Sequence, residues 1–594
     1  MQTRDQINPA DTWDLTPLFP SDEAWEAALG DWERRLAGFP PYAGKLHDAE
    51  SLRACLDLEA DLERLGERVG AYAMLKSSEN AAVSRYQEMS AKATRVGSLM
   101  QHATSFMSPE LLAMAEPDWR RLLADERLAL YRLALERIAR FRPHTLGRSE
   151  EELLALYAEV SGTAEQASYQ LSTCDMAFEA VRDEKGRRVA MNFQRFMEMQ
   201  HSRSRRVRRE SFDSFYQGFE QHKNTFAALL DGSIRNDIFL AKARKFGSAL
   251  DAALFSEQMP RAVYDNLVAT INAHLPVLHR YYDVRRRKMK LDDLHMYDTY
   301  VPILAGIRKE HSWDEAVKVL AAALVPLGDE YVRVMTEGLG AGRWCDRYEN
   351  EGKHHGAFSM GTFDAPPYIL INYKPALIES LFTLAHEAGH SMHSWHSCRE
   401  QPFLYYNYGI FTAEVASTFN ERLLSGYLLS HAKTKRERAW LINHELDAMR
   451  GTIFRQTMFA EFEKIAHETV EAGQPLSVDG FRRLYRGLLD KYFGPHFVID
   501  DALELECFRI PHFYRAFYVY KYATGMSAAL ALAERVLGGG ENERCDYLAF
   551  LGGGCSRDPL DLLRGAGVDM ASPEPIGAAM RRFGTLLDEL ETLL

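Results

Sequence analysis

Apolar residues recur along most of this chain at helical spacing. In LEADLERLGERVGAYAML, Leu58, Leu62, Leu65, Val69 and Tyr72 follow at alternating intervals of four and three residues, which predicts one buried stripe on a long helix. Between Ser78 and Met107, the residues Tyr86, Met89, Ala93, Val96 and Met100 continue in the same manner. Residues 1–200 read as an N-terminal helical domain and 201–594 as a second domain, the one that holds the histidine stretch at 383–397. One segment departs from this pattern. GAFSMGTFDAPPYILINY (356–373) alternates, carries β-branched residues and a Pro-Pro corner, and contains the run Tyr368 to Leu370, so it predicts a small sheet or hairpin. LGGG (537–540) and LGGGC (551–555) lack the G-K-[ST] of a phosphate cradle and read as turns.

Composition narrows the function classes. At 594 residues the chain exceeds one small core, and 46% hydrophobic with 26% charged residues is a globular balance. A net charge of −13 argues against nucleic acid as a partner. The seven cysteines are scattered without a C-x-x-C pair, which suits a reducing compartment. The polar start MQTRDQINPADTWD and the lack of any apolar run near ~18 residues predict a cytoplasmic protein without membrane contact. HSRSRRVRRESF (201–212) places five arginines within seven residues and reads as a solvated helix face.

The chemistry centres on TLAHEAGHSMHSWHS (383–397). A helix from Ser380 to Trp395 would bury Leu381, Leu384, Ala385, Ala388 and Met392. His386 and His390 then stand one turn apart on one face and offer two imidazoles to a zinc ion, while Glu387 can reach a water on that ion as general base. This is the H-E-x-x-H arrangement. A catalytic zinc needs a third protein ligand, and three residues compete. His393 lies about 10 Å of helix rise from His386, too far to share the ion, and reads as packing or support. His396 occupies the last place of H-E-x-x-H-x-x-G-x-x-H, but His393 replaces the glycine that turns the chain back. On an unbroken helix His396 is about 9 Å from His390. Glu414, in FTAEVASTFNERLLSGYLL, lies 24 residues after His390, room for a loop and a return helix. It shares a face with Thr418 and Glu421, which could orient neighbours, and Val415, Phe419 and Leu423 form the apolar stripe.

AHEAGHSMHS followed by EVASTFNE resembles the thimet oligopeptidase superfamily of zinc peptidases, and within it the oligoendopeptidase F branch. The resemblance runs through nearly the whole chain, from TWDLTPLFPSDEAWEAAL through HKNTFAALLDGSIRNDIFLAKARKF and LDDLHMYDTYVP to RIPHFYRAFYVYKYATG and YLAFLGGGCSRDPLDLLRGAGVDM. It implies a mainly α, two-lobed, zincin-like metallopeptidase with a deep substrate channel and a small β element near the active site. It also implies one Zn2+ per chain on His386, His390 and Glu414, with Glu387 as general base. The substrates would be short unstructured peptides cut at internal bonds.

In PHFYRAFYVYKYATG the resemblance points to a histidine and tyrosines that hold the oxyanion and the peptide. The segment is shorter than in related oligopeptidases and lacks their glycine pair. Tyr520 aligns best with the transition-state tyrosine, with His512 beside it and Tyr518 and Tyr514 as substrate-binding groups. Gly356 and Ala357 begin the strand whose edge would hold the peptide main chain. Glu379 stands where an acidic group supporting the ligands is expected. Two rival readings are a helical zinc carboxypeptidase, which would fix the substrate's C-terminal carboxylate with a basic residue, and a catalytically silent peptide-binding protein, against which Glu387 argues.

Overall fold

A computed structural model describes residues 2–304, 306 and 310–594. Helices dominate, as the periodicity predicts. Those used below are α1 (Ala49–Glu79), α2 (Ser84–Thr104), α3 (Arg205–Ala243), α4 (Ile378–Glu400), α5 (Ile410–Ser430), α6 (Arg455–Glu471) and α7 (Tyr520–Gly538). The strands are short: β1 (Val181–Arg182), β2 (Arg188–Val189), β3 (Cys345–Asp346), β4 (Phe358–Met360) and β5 (Tyr368–Leu370). The chain divides into two compact units. The first comprises Met1–Thr145, Arg308–Leu428 and Leu532–Gly567, and the second Leu146–Ile307, Leu429–Ala531 and Val568–Leu594. Residue 200, the boundary expected from the sequence, lies within the second unit.

In the first unit α1 packs along α2. Leu62, Val69 and Tyr72 of the predicted stripe are buried, with Leu58 and Leu65 partly so; Met89, Ala93, Val96 and Met100 meet them from α2. Trp25 donates its indole N–H to the Val69 carbonyl at 2.9 Å, which satisfies a polar group that burial would otherwise penalise. The small sheet expected between 356 and 373 is present. β5 is its central strand, paired in parallel with β3 (Cys345↔Ile369) and antiparallel with β4 (Phe358↔Leu370, Met360↔Tyr368). Because β5 is covered on both sides, its residues are all apolar and buried. Tyr368 and Leu370 join the α1–α2 core, where Trp13 meets Tyr368 edge-on at 6.2 Å.

In the second unit the 39-residue α3 corrects one expectation. The arginines of 203–209 do not form a uniformly solvated face. Arg206 and Arg209 are exposed, but Arg208 is buried and bonds the Asp298 carboxylate at 2.7 Å, and Arg205 bonds the same carboxylate at 2.8 Å. Asp298 lies about ninety residues away in sequence, so helical periodicity carries no sign of it. The β1–β2 hairpin also went unpredicted, since strands of two residues are too short to show alternation. The first glycine stretch is only partly a turn, since Leu537 and Gly538 end α7 and Gly539 and Gly540 link it to the helix Glu541–Leu551; the second is a turn that follows that helix. All seven cysteines are free thiols. No helix among the described residues is long and apolar enough to cross a membrane.

Candidate metal centre

The centre is built by two helices of the first unit. α4 begins two residues earlier than predicted and runs on to Glu400, and it buries Leu381, Leu384, Ala385, Ala388 and Met392. α5 buries Val415, Phe419 and Leu423, the stripe read from its sequence. The two backbones come together at Gly389. A Cβ there would sit 2.6 Å from the Ala416 carbonyl oxygen and 2.7 Å from the Ser417 Cα, so any side chain would force the helices apart. This contact lies one residue from His390 and two from Glu414, and it sets how closely α5 brings its carboxylate to the imidazoles. The sequence reading passed over Gly389; the available signal was a glycine inside a helix interior, where it is unfavourable unless packing requires it.

His386, His390 and Glu414 each offer a ligand atom, and the three atoms lie within 4.8 Å of one another. His386 Nε2 is 3.4 Å and His390 Nε2 3.8 Å from the same oxygen, Glu414 Oε2. Zinc bonds of roughly 2.0–2.2 Å place neighbouring tetrahedral ligands about 3.4 Å apart, so the donor set fits that ion. The imidazole planes stand at 84° to each other, so the rings do not stack and both edges reach one point. His386 Nδ1 meets Glu421 Oε1 at 2.5 Å. That bond keeps a proton on Nδ1 and makes Nε2 the nitrogen at which a metal would replace the second proton. Ser417 Oγ donates to Glu414 Oε2 at 3.1 Å, and Thr418 Oγ1 donates to the Glu414 carbonyl.

Three carboxyl groups and two imidazoles therefore share one partly desolvated space. Burial opposes the protonated form of His386, but the Glu421 hydrogen bond and the charges of Glu421, Glu387 and Glu414 outweigh it and push its pKa up to about 9. Burial and the neighbouring His386 push His390 down to about 3. Burial pushes Glu387 up to about 7, against the pull of His386 and with the repulsion of Glu414 and Glu421. A buried carboxyl in the range of a general base, beside a cluster of metal-type donors, is the electrostatic pattern of a reaction centre.

The other candidates separate clearly. α4 continues unbroken through His396, whose ring lies against Tyr331 at 5.8 Å and edge-on to Trp395, outside the cluster. His393 is buried and stacked on Tyr408 at 3.5 Å, which makes it a packing residue. Tyr408 donates its hydroxyl to the His390 carbonyl at 3.2 Å and so steadies the ligand turn. Glu379 is exposed in the first turn of α4, two turns before His386, and does not support the ligands. β4 is an edge strand that packs on α4, joined to it by a 2.8 Å hydrogen bond between Ser359 and Ser391. Gly356 adopts φ +88° just before it and accepts a hydrogen bond from Asn372 at 3.0 Å; Ala357 is partly exposed.

The segment 511–522 belongs to the second unit. Tyr520 opens α7 with its ring buried beside Tyr264 (5.2 Å), and its hydroxyl donates to Glu257 at 3.3 Å. Tyr514 is also buried. His512, Tyr518 and Tyr522 are partly exposed and gather together. His512 stacks with Tyr518 at 5.9 Å, Tyr518 meets Tyr522 edge-on at 5.5 Å, and the Tyr522 hydroxyl is 3.4 Å from His512 Nε2. Tyr522, which sequence reasoning left without a role, joins this group from the first turn of α7; because Tyr518 precedes that helix, no helical spacing pointed to the pair.

Comparison with known proteins agrees with these features. The model of peptidase family M3 matches residues 198–582, and a model described as oligopeptidase F matches residues 110–178. The oligopeptidase PepF of Bacillus subtilis (strain 168) is 42% identical over 594 residues, covering 100% of this chain and 88% of its own. The group B oligopeptidase PepB of Streptococcus agalactiae is 38% identical, covering 100% and 98%. Among solved structures, oligoendopeptidase-F from Enterococcus faecium aligns with a TM-score of 0.76 at 34% identity, over 96% of this chain and 99% of its own. A chain from Chlamydophila abortus aligns with a TM-score of 0.93 at 34% identity over the full length of both.

Proposed function

Because the chain belongs to peptidase family M3 and is a metalloendopeptidase acting on oligopeptides, we propose that it is a zinc enzyme of the oligoendopeptidase F type, with its reaction at the α4–α5 centre. The observation that carries this reading is the convergence of His386 Nε2, His390 Nε2 and Glu414 Oε2, with Glu421 locking His386 in the tautomer a metal requires. These three residues would hold the zinc, one ion per chain. When bound, the zinc supplies Lewis acidity to the scissile carbonyl and makes water a better nucleophile at neutral pH. Glu387 takes the proton of the attacking water and returns it to the leaving amine nitrogen.

The edge of β4, beginning at Gly356 and Ala357, holds the extended peptide by main-chain hydrogen bonds, which gives weak side-chain preference. The resemblance assigns the donors for the developing oxyanion to the 511–522 segment, and we carry that assignment over. Tyr520 is the tyrosine the resemblance places first, but its hydroxyl is engaged with Glu257, which favours the partly exposed His512, Tyr518 and Tyr522 for this role. Tyr514 contributes packing. The enzyme works in the cytoplasm on short unstructured peptides, a location that seven free thiols suit.

The test uses peptides blocked at both ends. Internal cleavage that stops on chelation and returns with zinc supports the reading. Strict dependence on a free C-terminal carboxylate would make the protein a carboxypeptidase, and efficient digestion of a stably folded domain would refute the substrate class.

A further inference from the structure

Between His512 and Tyr518 the backbone passes through Phe517 at φ +64°. A bulky side chain in the left-handed region is strained and persists only where its surroundings hold it there. Two interactions do so. The Phe517 ring is buried against His467 at 4.6 Å and Tyr264 at 6.1 Å. Its backbone N–H donates to Glu463 Oε2 at 3.2 Å. Glu463 lies on α6 and is only 2% exposed, and its second oxygen, Oε1, has no hydrogen-bond partner. Burial raises the carboxyl well above its ordinary range, opposed by the Phe517 hydrogen bond.

A buried carboxyl with one oxygen unsatisfied is a poor packing element, since an apolar side chain of the same shape avoids the desolvation cost. What it provides is an acceptor at the one position where the loop is strained. Immediately beyond that position the chain delivers Tyr518, and one turn later Tyr522, beside His512. We propose that Glu463 is a positioning residue for the peptidase reaction: it pins Phe517 in the left-handed conformation and thereby fixes Tyr518 and Tyr522 against His512 for contact with the substrate. This rests on the reading that the His512–Tyr518–Tyr522 group acts on the substrate.

The experiment compares Glu463→Met, which keeps shape and removes the acceptor, with Glu463→Gln, which keeps an acceptor oxygen. Expected for Glu463→Met is a fall in kcat on the order of 10²-fold, as for ångström-scale displacement of a reacting group. KM and zinc content stay within a few fold, and the melting temperature is unchanged or higher. Glu463→Gln restores kcat to within a few fold of wild type. A merely structural role would lower stability and activity together, and that result overturns the proposal. So does unaltered kcat in Glu463→Met. His512→Ala and Tyr518→Phe serve as controls: if both turn over normally, the reading of the segment fails and the proposal with it, whereas if they are impaired and Glu463→Met is not, the proposal alone fails. Should Glu463→Met not fold, hydrogen exchange decides. The Phe517 amide must be protected in wild type and in Glu463→Gln, and exchange as fast as an exposed loop amide overturns the inference.

Discussion

Two regions of the molecule bury ionisable groups, and they do so in opposite ways. In the second unit Asp298 and Glu506 are fully buried carboxylates, yet each is saturated. Asp298 receives Arg205 and Arg208, and Glu506 receives Arg455, Arg509 and the Tyr485 hydroxyl. Burial pushes Glu506 upward, but Arg455, Arg509 and Tyr485 overcome it and hold the carboxyl at about 2. At the α4–α5 centre, Glu387, Glu414 and Glu421 face His386 and His390, and the His386–Glu421 bond is the one well-matched pair. Glu387 is pushed the other way, toward neutrality. Both are clusters of acids and bases held away from water. A cluster that completes its own charges is architecture. One whose donor atoms converge on a point and whose charges a divalent cation would balance is a reaction centre.

The largest expected effect tests that distinction at its reactive end. Glu387→Gln should retain zinc near the wild-type content and lose turnover by about 10³-fold or more, the scale of general-base catalysis. Metal analysis beside a quenched-peptide assay checks it, and activity within a few fold of wild type would show Glu387 to be part of the scaffold. Next is the opposite region. Asp298→Ala leaves Arg208 buried without its counter-charge and should destabilise the fold by about 3–5 kcal/mol in urea unfolding. In contrast, Glu414→Ala should barely move the stability of the zinc-free protein, yet zinc should be lost on dialysis. His396→Ala should keep zinc; the reverse outcome would assign the third ligand to His396.

A smaller effect is expected from Glu421→Gln. Removing the anionic acceptor from His386 Nδ1 should weaken zinc binding by roughly 10–100-fold while the fold stands, as read by competition with a chelator. If binding is unchanged, Glu421 belongs with the structural acids. The mildest probe is pH. Glu506 has a folded-state pKa below its unfolded value, so its contribution is fully present above about 4.5 and is lost as pH falls toward about 2. The Glu506 contribution, read as the difference between wild type and Glu506→Gln, should therefore be level between pH 7 and 5 and then decline, by up to about 1.4 kcal/mol per pH unit. Glu506→Gln should flatten that acid limb.

What could be read without coordinates was what is local. The stripes of α1, α2, α4 and α5 repeat within a few turns, and His386, Glu387 and His390 sit on a single turn, so spacing alone arranged them. Glu414 was accessible because the loop and return helix that bring it back are short. What escaped reading was pairing across the fold. Arg208 belongs to Asp298, and Phe517 to Glu463, 54 residues before it. No periodicity encodes such partners, because tertiary packing selects them. Gly389 was visible as a letter, but its meaning lies in the carbonyl of Ala416 on another helix. Ranking the tyrosines by alignment likewise could not show that Tyr520 turns inward to Glu257 while Tyr522 joins His512.

The contact at Gly389 bears on metal selection. The close approach of the two backbones sets the separation of the ligand-bearing turns, so the fold itself spaces the donor atoms. Such a frame exerts little geometric preference among divalent ions of similar bond length. Cobalt and manganese should be accepted in the same coordination, with affinity ranked by the ions' intrinsic preference for nitrogen and carboxylate donors.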